Sequence, residues 1–148
     1  YSRIASVMDP SKIEIIVSNH AEPDHSGALA DAIADLQPEK VYASVAGVRI
    51  LDAQFHIGEK LTAVKTGDSI DLGGLSLSFV ETKMLHWPDS MFSYLKEEKI
   101  LFTQDGFGMH LATDRLFIDE NPWDMVEEEM EKYYANILLL YSLLRDAH

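Results

Sequence analysis

The chain has 148 residues, and 12 Lys+Arg against 25 Asp+Glu give it a formal net charge of −13. At 47% hydrophobic it can bury one sizeable core, which excludes intrinsic disorder, while so negative a field excludes nucleic acid and anionic lipid as natural partners. The absence of cysteine excludes disulfides, thiolate zinc sites and iron–sulfur clusters, so any metal must be held by nitrogen and oxygen.

In chain order, Ile13–Ser18 (IEIIVS) is a short β-branched run that predicts a buried strand. It feeds a polar loop, Asn19 to His25, stiffened by Pro23. Ser26 is expected to cap a helix running through Leu36, with Leu29, Ile33 and Leu36 at helical spacing and Pro38 as its stop. Val41–Val45 predicts a strand, Val48–Phe55 a helix ended near Gly58, and Leu61–Lys65 another strand. A turn at Gly67-Asp68, a strand over Ser69–Leu72 and a Gly73-Gly74 hairpin lead into the alternating strand Leu75–Glu81. Lys99–Thr103 is one more strand, followed by a second polar loop from Gln104 to His110. From Pro122 the spacing of Met125, Met130, Tyr133, Ile137, Leu140 and Leu144 predicts one long helix. The order is that of an α/β chain with helices against a sheet. No apolar run approaches the ~18 residues of a membrane span. Tyr1 opens the chain without Met or a signal pattern, and His148 follows a strongly apolar stretch, so both ends are expected to be cuts within a longer protein.

Strands that feed polar loops are where α/β proteins keep their sites. The first loop packs His20, Glu22, Asp24 and His25 between an apolar strand and an apolar helix. Alternation in an extended segment points His20, Glu22 and Asp24 to one side, and the turn after Pro23 lets His25 swing beside Asp24. A lone His-x-Glu pair on an acidic protein is ordinarily solvated surface. Four candidate ligands at the rim of a core can serve two adjacent metals. His86, after Leu75–Glu81, and Asp105, after Lys99–Thr103, stand at two more strand ends, and Gly106 and Gly108 are expected to permit the sharp turn at Asp105.

The segments NHAEPDHSGAL, MLHWPDSMFSYL and TQDGFGMH, with a His 61 residues after His25 and an Asp 19 residues after that, resemble the flavodiiron proteins (A-type flavoproteins). The resemblance covers nearly the whole chain. It implies a metallo-β-lactamase-like αββα sandwich, here truncated at both ends. His20, Glu22 and His86 would bind one iron, Asp24 and His25 the second, with Asp105 bridging the two. It also implies a tyrosine near the iron pair, Tyr133 or Tyr134, with core packing as the alternative; from the residues themselves, Trp87 is expected to pack around His86, and His110 to stand behind the ligands or serve structure. The family's remaining His ligand falls beyond this chain, and His148 is too early to be assigned to it. The resemblance further implies reduction of O2 to water or of NO to nitrous oxide, with electrons from FMN on a C-terminal flavodoxin-like domain. Rubredoxin or a similar donor, a head-to-tail homodimer or dimer of dimers, and a cytoplasmic location go with it. No phosphate loop of the kind FMN needs is present in these residues.

Hydrolytic relatives of this fold carry His where this chain has Glu22. Two ferrous ions carry four positive charges, which Glu22, Asp24, Asp105 and a bridging hydroxide would neutralise. The extra carboxylate is a hard donor that stabilises higher oxidation states and favours redox iron over zinc. A dinuclear zinc hydrolase and a non-enzymatic diiron oxygen sensor remain the alternatives, separable by metal content and by reversible oxygen binding without turnover. The seven acidic residues of Asp119–Glu131 are expected to be a solvated helix face, and His56 a surface or packed residue.

Overall fold

The computed structural model describes residues 1–141. A short helix α1 (Ser2–Ala5) precedes β1 (Ile15–Ser18), α2 (Pro23–Ser26), α3 (Leu29–Leu36), β2 (Lys40–Ser44), α4 (Val45–Phe55) and β3 (Leu61–Val64). The strands β1, β2 and β3 pair in parallel, in that order. Then β4 (Ser69–Asp71), β5 (Ser76–Glu81), β6 (Met91–Leu95) and β7 (Ile100–Phe102) form an antiparallel meander, and α5 (Trp123–Tyr133) follows.

Strand alternation builds the layers. In β2, Val41 and Ala43 face the helices and pack with Ala21, Leu29, Ile33 and Leu51. Tyr42, between them, faces the other way, into a second core of Val64, Leu77, Phe79 and Met91 that joins the two sheets. The result is a helix layer, a parallel sheet and an antiparallel sheet stacked in turn, with the polar loops after β1, β5 and β7 gathered at one rim.

Several expectations shift. Ser26 is not the cap of α3: it ends α2, and its hydroxyl donates to the Ala21 carbonyl at 2.7 Å. Pro23 at the first helical position starts that extra turn early, and α3 begins only at Leu29. The helix predicted from Val48 begins at Val45, because Ser44 accepts from the Gly47 N–H at 3.0 Å and caps it. Strand β6 is absent from the sequence-based assignment, and Ser93 shows why. It occupies an inward position between Met91 and Leu95 and is 2% exposed, which interrupts the apolar alternation. Its hydroxyl is satisfied there by the Asn19 side chain, at 2.9 and 3.1 Å. The long final helix is α-helical only to Tyr133 and continues as a π-turn over Tyr134–Leu138. Leu144 and His148 lie outside the described residues.

Candidate metal centre

His20 leaves the end of β1 fully buried, and Glu22 follows it in extended backbone. Four candidate ligand atoms converge: His20 Nε2 lies 3.2 Å from Glu22 Oε2 and 3.3 Å from Asp105 Oδ2. His86 Nε2 lies 3.3 Å from each of the same two oxygens. Adjacent ligand atoms each ~2.1 Å from a common metal are about 3 Å apart, so this quartet has the dimensions of one metal's ligand shell. Asp105 Oδ2 is buried and has no hydrogen-bond partner, although it points into the quartet. A buried carboxylate oxygen left in that state is costly unless a cation takes it up.

The other oxygen of Asp105 faces a different group. Oδ1 lies 3.0 Å from His25 Nε2, and that nitrogen is 3.6 Å from Asp24 Oδ2. The expected alternation of residues 20, 22 and 24 stops at Glu22, because Pro23 turns the chain into α2 and carries Asp24 outward, its side chain 72% exposed. Asp24 therefore stands apart from the quartet, on the side of His25.

The turn at Asp105 works differently from expectation. Neither Gly106 nor Gly108 has a positive φ; the left-handed residue is Gln104, at φ 44°. Its side chain donates to the Leu85 carbonyl at 3.0 Å and accepts from the Asp105 N–H at 2.5 Å, tying the loop of His86 to that of Asp105. Met84, two residues before His86, is also left-handed at φ 64°. The loops of His86 and Asp105 thus each carry a non-glycine residue in a conformation that costs energy elsewhere in proteins. The two glycines serve close approach: Gly106 lies against Phe92, and Gly108 against the ring of Tyr133.

Of the two tyrosines, Tyr133 is brought to the carboxylates and Tyr134 is not. Tyr133 is 8% exposed, and its phenol is pushed up to about 12 by burial and then by the charge of Asp105, with Glu22 and Asp24 adding to it. Tyr134 is 53% exposed. His110 reaches the site only indirectly, its exposed ring standing edge-on to Tyr133 at 5.2 Å. Those two residues, with Glu129 and Lys132, border a cavity of about 300 Å³ that none of the quartet lines. Trp87 packs edge-on against His20 at 5.4 Å and His86 at 6.4 Å. Burial pulls the His20 imidazole down, but hydrogen bonds and charge from Asp89, Glu22 and Asp105 outweigh it and leave the ring above its ordinary value. A metal bound at Nε2 would displace that proton. Asp89 is the residue that sequence reasoning passed over; its only signal was its place three residues after His86.

The family model described as ODP family beta lactamase matches residues 1–147. The chain belongs to that family. The chain is 43% identical over 140 residues to the rubredoxin-oxygen oxidoreductase of Megalodesulfovibrio gigas, covering 94% of the chain and 35% of that protein. It is 43% identical over 145 residues to the nitric oxide reductase of Moorella thermoacetica, covering 97% of the chain and 36% of that protein. The crystal structure of the flavodiiron protein from Giardia intestinalis matches with a TM-score of 0.90 at 36% identity, over 99% of this chain and 36% of that one. The metallo-β-lactamase-like fold and the flavodiiron resemblance both hold. The chain spans about a third of the length of these relatives. Among the described residues, no helix is long and apolar enough to cross a membrane.

Proposed function

We propose that this ODP-family domain is the diiron part of a flavodiiron oxidoreductase that reduces O2 to water, NO to nitrous oxide, or both. The observation that carries the proposal is the division of Asp105: Oδ2 faces His20, Glu22 and His86, while Oδ1 faces His25 beside Asp24. One carboxylate shared between two groups of ligands suits two neighbouring metals. His20, Glu22 and His86 would hold one iron, Asp24 and His25 the other, and Asp105 both. Iron held there would supply electrons to a diatomic oxidant, with FMN as the source that replaces them.

The chain's own residues do the rest. Trp87, packed against the rings of His20 and His86, keeps both imidazoles in place and water off that side. Tyr133, whose hydroxyl faces Asp105 and stays protonated at neutral pH, can donate a hydrogen bond to a ligand bound beside that carboxylate. Glu22 inside the quartet supplies the third carboxylate that favours iron over zinc. The names of the relatives, rubredoxin-oxygen oxidoreductase and nitric oxide reductase, agree with O2 and NO as substrates and rubredoxin as donor. FMN on a separate domain, a head-to-tail dimer and a cytoplasmic location belong to the same proposal.

The test is anaerobic loading of the full-length protein with ferrous iron. Two irons per chain, and consumption of O2 or NO by the prereduced protein, are expected. A protein that retains zinc and hydrolyses an ester or lactam would overturn the proposal in favour of the hydrolase. Reversible oxygen binding without turnover would overturn it in favour of the sensor.

A further inference from the structure

We infer that Asp89 is a positioning residue for this centre: it holds the proton of His20 on Nδ1, so that the lone pair of Nε2 is presented to the ligand quartet. The inference rests on the metal centre proposed above. Asp89 lies in the turn between His86 and β6, and its side chain is 1% exposed. Its Oδ2 accepts from the Ala21 N–H at 2.6 Å and lies 3.1 Å from His20 Nδ1. A metal on Nε2 leaves Nδ1 as the ring nitrogen that carries the hydrogen, and Asp89 Oδ2 is the acceptor within reach of it. The opposite nitrogen, Nε2, is the one 3.2 Å from Glu22 and 3.3 Å from Asp105.

Asp89 is itself held from behind. Its carbonyl accepts from Ser44 Oγ at 2.7 Å, the same hydroxyl that caps α4. The corner between β2 and α4 thereby fixes the carboxylate, the carboxylate fixes the loop of His20, and Trp87 limits the ring's tilt from a third direction. Asp89 Oδ1 is buried with no hydrogen-bond partner, so the carboxylate's polar partners among the described residues are the Ala21 N–H and the His20 ring. One backbone hydrogen bond from the Ala21 N–H does not offset the cost of burying a carboxylate. The charge has a use on the imidazole, which gains positive character when a cation binds its far nitrogen.

The test uses the full-length protein labelled with ¹⁵N-histidine and loaded with zinc. The expected result is zinc on His20 Nε2 with a slowly exchanging Nδ1–H, and loss of that protection in Asp89→Asn, whose amide can turn its own donor to Nδ1. Cobalt(II) affinity in Asp89→Asn should fall about 10–100-fold with the far-ultraviolet circular dichroism unchanged. Zinc on Nδ1 or a rapidly exchanging Nδ1–H in the unaltered protein, or wild-type cobalt affinity in Asp89→Asn, would overturn the role. Should Asp89→Asn fail to fold, the His20 ring of the unaltered protein decides alone. If the unaltered protein binds neither metal, the metal centre falls and the role of Asp89 with it; metal bound with a rapidly exchanging Nδ1–H overturns the role of Asp89 alone.

Discussion

Gly106→Ala should unseat Asp105 from its pocket. A Cβ on residue 106 would stand 2.5 Å from Cζ and 2.8 Å from Cε1 of Phe92. Favourable carbon–carbon separations are about 3.5–4.0 Å, so the methyl lacks roughly 1 Å of clearance. Phe92 sits on β6 opposite Val80, with its ring tilted against Phe107 at 6.4 Å, so its backbone cannot retreat without breaking the ladder. The ring must swing, or the turn at residues 104–107 must lift and take Asp105 with it. Overpacking of this kind costs about 1–3 kcal/mol. For a domain of this size that lowers the melting temperature by about 2–4 °C per kcal/mol. Calorimetry of the full-length protein, following the transition of this domain, reads the loss. Phe92→Leu shortens the obstructing ring, and the double variant should recover at least half of what Gly106→Ala loses. Unchanged melting in Gly106→Ala, or an equal loss with and without Phe92→Leu, would refute the reasoning.

Glu22→Gln keeps the shape of the quartet and removes one of its charges; iron affinity should fall more than roughly 100-fold, beyond the effect of an outer-shell change, and full occupancy with unchanged turnover would contradict the assignment. Phe79→Ala empties a fully buried site between the two sheets and should cost about 3–5 kcal/mol in denaturant unfolding; a loss under about 1 kcal/mol would mean that the two layers collapse onto the gap. Asp71 accepts from the Gly74 and Gly73 N–H groups, which hold its carboxyl below the ordinary value. Its contribution to stability is therefore complete above the ordinary Asp value and lost as pH falls through the lowered one. The stability gap between wild type and Asp71→Ala should narrow on acidification across that range, and a gap independent of pH would show that the hairpin does not use the charge.

His20, Glu22, His86 and Asp105 were legible in the sequence as candidate ligands, because each stands in a loop that follows an apolar strand and that order is a local pattern. Strand β6 was not, since the buried Ser93 breaks the alternation and its hydroxyl is satisfied by Asn19, 74 residues away. The choice of Tyr133 over Tyr134 was equally out of reach: the two are neighbours of one type on one helical pattern, and the choice depends on which faces Asp105 across the space opened by Gly108.

The sequence by itself determined the chemistry available to this protein: nitrogen and oxygen candidate ligands only, three carboxylates among them, set in loops after strands. Only the tertiary structure decided the allocation, with Asp105 Oδ2 given to one group and Oδ1 to another, Asp89 placed behind His20, and Asp24 turned outward by Pro23. The physical reason is range. Alternation, helix period and proline restraint act over a few residues, whereas the meeting of residues 20, 86, 89 and 105 follows from how two sheets pack and where the loops between them are tied.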